Sequence, residues 1–331
     1  MRINEVLQKI GTGTDLEYAE SKTMFERFFA GELTPSQCGA LLMGLTGKGE
    51  TADELKAAVD SALDNARLIR GLDGVRIDTC GTGGDGQNSF NCSTAVAFFL
   101  ADMGYKVVKH GNRAVSSTCG SADIIQALDL PILKDPDEIK GSLAATNFAF
   151  IFAPHFHPAF ARVAPIRQEL GIRTIFNLMG PLLNPARPTH QVLGVPKAGM
   201  APLMAEVLRL SGLKAAVVHG AGGFDELTPC GVSEIHLVDR ERTKKLDIDP
   251  ATFGMDICRP RDLGCSDKQT AVAMQKEVLA GKGPGAVRDM VALNLGLALH
   301  LLDFDAGLEN CIREARKTVE NGLQNPIPSA A

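Results

Sequence analysis

The chain has 331 residues and a formal net charge of −5, from 34 Lys and Arg against 39 Asp and Glu. This mildly acidic balance disfavours adhesion to nucleic acid or to an anionic membrane as the main activity. Trp is absent and Tyr occurs twice, so stacking platforms for single-stranded nucleic acid are scarce. We expect no membrane span, which needs roughly 18 apolar residues. The polar N-terminus does not resemble a signal peptide, and a cytoplasmic location is therefore predicted.

The eight cysteines form no C-x-x-C pair, which disfavours a zinc ribbon or a thioredoxin-like site. In a chain of this length without an export signal, the default is a set of reduced thiols buried as small apolar residues. We therefore predict no disulfides.

Residues 1–70 predict a small helical domain. Apolar side chains recur at helical spacing over 17–29 and again over 51–67. Thr34 followed by Pro35, with Gln37 three positions after the threonine, predicts a capping box at the start of another helix. No strand pattern interrupts this segment.

Beyond residue 75 strands and helices alternate, which predicts a mostly parallel sheet. The predicted elements cover 75–78 (strand), 93–103 (helix), 105–109 (strand), 121–128 (helix) and 215–219 (strand). A Gly-rich loop follows each strand, and ligands bind at the carboxyl ends of such strands. We therefore predict an α/β protein, with a small N-terminal all-helical domain followed by a larger α/β domain whose central sheet is flanked by helices. The segment 325–331 is predicted to be frayed.

The first loop contains a G-x-G-x-x-G pattern through Gly81, Gly83 and Gly86. That pattern is typical of dinucleotide-binding folds when a helix begins inside it and an acid ends the second strand. Here the helix is predicted to start later, and the second strand ends in Lys109 and His110. A dehydrogenase is therefore disfavoured.

The same loop is better suited to binding an anion. Glycine amides can point inward because no Cβ obstructs them, and the following helix N-terminus adds partial positive charge. Polar side chains at this helix N-terminus, at the end of the second strand and in the loop after it could hold two phosphate clusters, one at each end of a ligand. These residues are Asn91, Ser93, Thr94, Lys109, Arg113, Ser116 and Ser117. The alternative is a pair of sharp turns whose Ser and Asn side chains only cap helices.

The third loop ends in the adjacent carboxylates Asp225 and Glu226. Mg²⁺ prefers oxygen ligands and commonly bridges a protein carboxylate to a substrate phosphate. A magnesium site and a solvated acidic turn are both compatible with this pattern.

Nine segments in the same order closely resemble the anthranilate phosphoribosyltransferases of tryptophan biosynthesis. They are 78–86, 91–94, 109–113 with 116–117, 152–154, 157–159, 165–177, 180–185, 193–195 and 225–226. The resemblance implies transfer of the 5-phosphoribosyl group from 5-phosphoribosyl 1-diphosphate to the amine of anthranilate, which gives N-(5-phosphoribosyl)anthranilate and pyrophosphate.

It also implies the domain organisation and assembly of that family, in which the small helical domain is hinged to the larger α/β domain. The helical domain would comprise 1–70 joined by about 165–185, and the phosphoribosyl-diphosphate-binding α/β domain would comprise 71–164 and 186–331, with the substrates between them. The expected assembly is a homodimer through the helical domains, with two Mg²⁺ ions in each active site.

The site residues that the resemblance implies fall into three groups. The phosphoribosyl diphosphate group is Gly81, Gly84, Asp85, Ser89, Asn91, Cys92, Ser93, Thr94, Lys109, His110, Gly111, Asn112, Arg113, Ala114, Val115, Ser116, Ser117 and Ser121. The anthranilate group is Gly81, His110, Asn112, His157 and Arg167, and the Mg²⁺ ligands are Ser93, Asp225 and Glu226. The aromatic amine is largely neutral at pH 7, so no dedicated acid or base is assigned.

Two other functions share parts of this pattern. A pyrimidine nucleoside phosphorylase also uses Gly/Ser-rich loops and a Lys-His pair, but the segment 153–185 fits it poorly. A non-catalytic relative that binds nucleic acid would need a basic groove and degraded phosphate loops, whereas this chain is acidic and its loops are intact.

Overall fold

The computed structural model describes residues 2–114 and 119–325. The helices are α1 Ile3–Gly11, α2 Tyr18–Ala30, α3 Pro35–Lys48, α4 Ala52–Asp64, α5 Cys92–Asp102, α6 Ser121–Ala127, α7 Pro136–Thr146, α8 Ala153–Phe156, α9 Phe160–Leu170, α10 Phe176–Met179, α11 Ala201–Leu210, α12 Lys268–Leu279, α13 Gly285–Leu302 and α14 Leu308–Asn321. The strands are β1 Ile77–Gly81, β2 Val107–Gly111, β3 Phe148–Phe152, β4 His190–Gly194, β5 Lys214–His219, β6 Ser233–Val238 and β7 Thr243–Ile248. The predicted frayed segment 325–331 lies outside the described residues, apart from Asn325.

The chain divides into two compact units. The helical unit comprises Met1–Leu68 and Ala153–Pro185, and the α/β unit comprises Ile69–Phe152 and Ala186–Ala331. In the helical unit, the capping box predicted at Thr34 is confirmed, because its Oγ1 accepts from the Gln37 N–H at 3.3 Å and its own N–H donates to Gln37 Oε1 at 3.0 Å. This reciprocal pair satisfies donors that the first helical turn of α3 would otherwise leave open.

The later segment of the helical unit begins at Ala153 rather than near residue 165. Its aromatic rings explain the difference, since Phe160 lies 5.7 Å from Phe29 and Phe176 lies 5.6 Å from Phe28 between ring centroids. Such contacts bury α9 and α10 against α2. The residues 153–164, predicted to belong to the α/β domain, therefore pack with the helices instead.

The α/β unit is built on one seven-stranded sheet in the order β3-β2-β1-β4-β5-β6-β7. The first five strands in this order are parallel, while β6 and β7 join antiparallel. This confirms the predicted α/β class and the mostly parallel sheet. β1 runs three residues and β2 two residues further into the glycine motifs than predicted. β1 continues its ladder with β4 as far as the pair Gly81 and Gly194. The carboxyl ends of β1, β2 and β5 consequently share one edge.

Helix α13 is long and apolar enough, by length and composition, to cross a membrane, which the sequence analysis did not expect. In the structure 72% of it is buried inside the protein. It packs on α14 and α5 as the central helix of the α/β core. Its apolar surface is thus covered by protein, as in the core helix of a globular domain.

Candidate active site

The first Gly-rich loop connects β1 to the N-terminus of α5. Asn91 occupies the N-cap position of α5, but its side chain does not cap the helix. Its Nδ2 instead donates to the Cys119 carbonyl at 3.1 Å. Among the described residues, Asn91 Oδ1 and the nearby Thr94 Oγ1 are buried without a hydrogen-bond partner. The alternative in which the side chain only caps the helix is therefore wrong for Asn91.

Backbone contacts hold the loop in place on its far side. Phe90 N–H donates to the Leu263 carbonyl at 3.0 Å, and Cys265 N–H donates to the Asn88 carbonyl at 2.8 Å. Gln87 Nε2 donates to the Gly222 carbonyl at 3.0 Å and so ties this loop to the third Gly-rich loop. The loop is thus anchored to the α/β unit from two directions.

Lys109 lies near the end of β2 and is only 1% exposed. Its Nζ donates to the Thr79 carbonyl at 2.5 Å and to Ser93 Oγ at 3.2 Å. Burial lowers the pKa of this ammonium group, while Asp78 acts in the opposite direction. The positive charge predicted for the site therefore sits beneath the N-terminus of α5, beside Ser93, rather than at the protein surface.

The second Gly-rich loop follows β2 and leads to α6. Ser121 Oγ donates to the Asn112 carbonyl at 3.3 Å. The Asp123 carboxylate accepts from Ala114 N–H at 3.3 Å and from Gly120 N–H at 3.0 Å, so it joins the two described ends of the loop. Arg113 lies 3.6 Å from the same carboxylate. The predicted site residues Val115, Ser116 and Ser117 lie outside the described residues.

The acidic pair reaches the first loop across the edge of the sheet. Asp225 Oδ2 accepts from Gly83 N–H at 2.9 Å. A Cβ at Gly81 would lie 2.1 Å from the same oxygen, and a Cβ at Gly194 would lie 1.4 Å from the Asp225 carbonyl oxygen. Glycine at these strand ends is therefore required for the close approach of Asp225 to β1 and β4.

The electrostatics of this acidic group disfavour the solvated-turn alternative. Burial, followed by the charge of Asp85, raises the pKa of Asp225 to about 6. Burial, followed by the charges of Asp225 and Asp85, also raises the pKa of Glu226 well above its ordinary value. In the described part of the chain, Glu226 Oε2 and Asp85 Oδ2 are buried without a hydrogen-bond partner. Such carboxylates are stabilised by a cation.

The oxygen ligands at this site suit Mg²⁺, which is shared with a substrate, better than they suit a metal whose ligands all come from the protein. Within residues 2–114 and 119–325, no group of three or more His, Cys, Asp or Glu side chains is gathered to hold a metal ion. Mg²⁺ is commonly bound through one or two carboxylates, with waters and substrate phosphates completing its shell. The unpartnered oxygen of Glu226 suits that mode of binding.

Two predicted anthranilate residues belong to the helical unit. Arg167, on α9, is half-buried with its guanidinium 5.7 Å from the Phe176 ring centroid, and it makes no ion pair with another described residue. Burial lowers the pKa of this guanidinium. His157 is 6% exposed, and burial lowers its pKa to about 4, so its ring is neutral at pH 7.

His110 and Asn112 belong to the α/β unit. His110 is 8% exposed, and its backbone N–H donates to Asp78 Oδ1 at 3.3 Å. Asn112 Oδ1 accepts from Arg113 N–H at 2.8 Å, which orients the side-chain carbonyl at the start of the second loop.

Several residues that organise the site were missed by the sequence analysis. Asn294, on α13, lines a small cavity together with Ser93, Asp225 and Glu226. Asp123 and Gln87 join loop segments, as described above. A polar residue inside the long apolar pattern of α13 was the one available signal for Asn294, because a buried polar group requires partners.

Comparison with known proteins relates this site to a family. The model for the glycosyl transferase family, helical bundle domain, matches residues 4–66, and that for the glycosyl transferase family, a/b domain, matches 73–324. A curated relative from Nitratidesulfovibrio vulgaris, named anthranilate phosphoribosyltransferase, is 51% identical over 97% of both chains.

Two solved structures agree with that relationship. The crystal structure of anthranilate phosphoribosyltransferase (TrpD) from Thermus thermophilus has a TM-score of 0.88 and 34% identity, and the match covers 96% of this chain and 94% of that chain. The Saccharomyces cerevisiae enzyme in complex with PRPP and Mg has a TM-score of 0.79 and 28% identity, with 87% and 82% covered. The chain therefore belongs to the anthranilate phosphoribosyltransferases, the glycosyltransferase family of tryptophan biosynthesis.

Proposed function

We propose that the protein transfers the 5-phosphoribosyl group from 5-phosphoribosyl 1-diphosphate to the amine of anthranilate, releasing pyrophosphate. The observation that carries this proposal is the hydrogen bond from Gly83 N–H to Asp225, which joins a phosphate-binding type of loop to a buried acidic pair. The names of the relatives and the yeast complex with PRPP and Mg support the same substrate.

Ser93, Asp225 and Glu226 would hold Mg²⁺, and we propose two ions for each site. Bound Mg²⁺ would offset the negative charge that develops on the departing pyrophosphate. The protein's own share of this task falls to the amides of the first loop and to Lys109, whose charge lies beside Ser93. Because these donors are held before substrate arrives, they need little reorganisation during bond breaking.

We assign the phosphoribosyl diphosphate to the two loops that follow β1 and β2. The unpartnered oxygens of Asn91 and Thr94 support this assignment. Either oxygen could accept a hydrogen bond from a ribose hydroxyl, and the Thr94 hydroxyl could also donate one to a phosphate. The remaining proposed contacts are Gly81, Gly84, Asp85, Ser89, Cys92, Ser93, Lys109, His110, Gly111, Asn112, Arg113, Ala114, Val115, Ser116, Ser117 and Ser121.

We assign the carboxylate of anthranilate to Arg167. A planar guanidinium matches a carboxylate through two parallel hydrogen bonds, and the absence of a described ion-pair partner leaves that fork available. The side-chain carbonyl of Asn112 would accept a hydrogen bond from the amine of anthranilate. Gly81, His110 and His157 are the other proposed anthranilate contacts. His157 is a weak base because its pKa is about 4, so positioning rather than proton transfer would supply the acceleration.

The proposed assembly is a homodimer formed through the helical units. Tyr18 and Met43 support it, because these large apolar residues of the helical unit are 38% and 52% exposed. Sedimentation velocity at micromolar concentration tests it. A fully active monomer of 35.2 kDa would contradict it.

The catalytic proposal is tested by following the fluorescence of anthranilate after mixing enzyme with phosphoribosyl diphosphate. We expect a loss of fluorescence that requires both Mg²⁺ and phosphoribosyl diphosphate. Phosphate-dependent cleavage of a pyrimidine nucleoside, with no anthranilate consumed, would instead identify a nucleoside phosphorylase. Tight nucleic-acid binding without either reaction would identify a non-catalytic relative.

A further inference from the structure

Two of the eight cysteines place their thiols in contact. Cys230 Sγ and Cys258 Sγ lie 3.3 Å apart. Both residues, like Cys80, are partly exposed, whereas the other five cysteines are buried. The backbones of the two segments are also adjacent, because Cys258 N–H donates to the Pro229 carbonyl at 3.0 Å. To form a disulfide, the two sulfurs would approach from this separation to about 2.05 Å.

One thiol of the pair, Cys230, lies on the loop that carries the acidic pair. Cys230 follows Glu226 along the chain, and the intervening Leu227 and Thr228 are already held in place. Leu227 N–H donates a hydrogen bond to Asn294 Oδ1 at 3.0 Å, and Thr228 Oγ1 donates one to the Ala221 carbonyl at 2.8 Å. A covalent bond at Cys230 would therefore fasten the end of this loop to the segment that precedes the turn 260–263.

We propose that Cys230 and Cys258 form a site of reversible oxidation, which a low-molecular-weight disulfide converts to an intramolecular disulfide. The site does not take part in the proposed reaction, so it stands independently of that function. In an intracellular protein such a bond is most often transient or redox-sensing rather than permanent.

The oxidation proceeds by two thiol–disulfide exchanges. The sulfur of Cys230 attacks one sulfur of the oxidant, which releases one thiol and leaves a mixed disulfide on the protein. The sulfur of Cys258 then attacks the Cys230 sulfur and releases the second thiol. Two protein S–H bonds are lost and one S–S bond forms, while the S–S bond of the oxidant is reduced to two thiols that carry the protons.

The order of attack follows from the environment of Cys258. Burial, together with the hydrogen bond to Cys230, raises the pKa of Cys258 to about 12. Since the thiolate is the attacking species, Cys258 is a slow first nucleophile. Once Cys230 carries the mixed disulfide, Cys258 is held beside it and needs no encounter with a second oxidant.

The new bond would close a loop spanning 28 positions of sequence. Closing a loop of this size restricts the unfolded chain and stabilises the folded one, provided that the native geometry accommodates the bond. The oxidised protein should therefore unfold at a higher temperature than the reduced protein.

Peptide mapping of the full-length chain after incubation with glutathione disulfide tests the proposal. We expect one linked peptide pair containing Cys230 and Cys258, the loss of two titratable thiols, a thermal midpoint raised by several degrees, and full reversal by dithiothreitol. Cys230→Ser and Cys258→Ser should each abolish the linked pair and the thermal shift, while Cys311→Ala should retain both. Circular dichroism before oxidation verifies that each variant is folded.

Two outcomes would overturn the inference. The first is a wild-type protein that keeps all its thiols under conditions in which glutathione disulfide oxidises a model dithiol. The second is a stable glutathione adduct on Cys230 with no linked peptide, which would mean that the two sulfurs cannot reach bonding distance.

Discussion

The side-chain amide of Asn294 pairs with both polar groups of the Leu227 backbone. Its Oδ1 accepts from Leu227 N–H at 3.0 Å, and its Nδ2 donates to the Leu227 carbonyl at 2.8 Å. A further bond to the Met290 carbonyl, also 2.8 Å, fixes the amide on α13. Because Leu227 directly follows Glu226, Asn294 determines where the backbone leaves the acidic pair. We therefore interpret Asn294 as a positioning residue for the proposed metal site.

Asn294→Leu should destabilise the protein and raise its Mg²⁺ requirement. The change leaves buried N–H and carbonyl groups of Leu227 without partners, which costs about 1–3 kcal/mol. Urea denaturation measures the loss, and the Mg²⁺ concentration for half-maximal activity measures the displacement of Glu226. Asn310→Leu is the matched control, because Asn310 is exposed and makes a single bond to the Ala306 carbonyl. An unchanged Mg²⁺ requirement in the Asn294 variant would restrict this residue to a structural role.

Arg167→Ala should impair the use of anthranilate far more than the use of phosphoribosyl diphosphate. Removing one partner of a buried charge pair costs about 2–5 kcal/mol, and partial exposure of Arg167 places the effect toward the lower end. Steady-state kinetics with each substrate varied in turn measure the two effects separately. Arg167→Lys should recover only part of the loss, because an ammonium group lacks the planar fork.

The control for that experiment lies on the same helix. Arg162 is exposed and makes one long hydrogen bond, 3.4 Å, to the Ala30 carbonyl. Arg162→Ala should leave the kinetics with both substrates unchanged. Equal effects of the two variants would remove Arg167 from the proposed anthranilate site.

His157 should make the stability of the protein fall in mild acid. Its pKa is lowered from 6.5 to about 4 by burial, so the unfolded chain takes up a proton at a pH where the folded chain does not. The stabilisation is complete above pH 6.5 and is lost as the pH falls toward 4, by about 3 kcal/mol if the difference is fully realised. Urea denaturation across this range measures the decline.

His157→Gln should flatten that decline without removing it, because His190 is also buried with a pKa lowered to about 4. A His157 variant with the wild-type slope would show that this ring takes up its proton in the folded state as readily as in the unfolded chain.

The alternation of strands with glycine loops could be predicted from sequence because both are local patterns, although the predicted β1 and β2 end too early. Alternating strands and helices specify which ends share an edge of a parallel sheet, and Gly81 and Asp225 fall at that edge. What could not be predicted is which polar groups meet across the edge. The bond from Gly83 to Asp225 spans 142 positions, and that from Asn294 to Leu227 spans 67. No local periodicity encodes such contacts.

The burial of polar groups was the other feature beyond the reach of local patterns. Asn91 has the residue type and position of a helix cap, yet its amide donates to Cys119 instead. Lys109 was predicted to bring a positive charge to the end of its strand, and its burial beside Ser93 could not be predicted. In both cases tertiary packing, and not the local preference of the residue, decides the contacts.

Replacing Asp225 by Asn and Glu226 by Gln should abolish most activity while leaving the protein folded. The change preserves shape and removes two negative charges, so the leaving pyrophosphate would lose the charge stabilisation that the pair organises. Because burial and mutual repulsion already disfavour the charged forms, the neutral variant should be at least as stable as the wild type without Mg²⁺. Turnover measured across a Mg²⁺ titration, together with urea denaturation, separates the two effects.

The chain offers a matched control in Asp137 and Glu138, another adjacent acidic pair, which lies in the exposed first turn of α7. Asp137→Asn with Glu138→Gln removes the same charge from the protein as a whole and should leave turnover and its Mg²⁺ dependence unchanged. A drop of several orders of magnitude confined to the Asp225 and Glu226 variant would mean that the position of the charges matters, and not the net charge. Near-normal turnover of that variant at saturating Mg²⁺ would instead make the pair a structural feature of the loop and refute its role as a metal ligand.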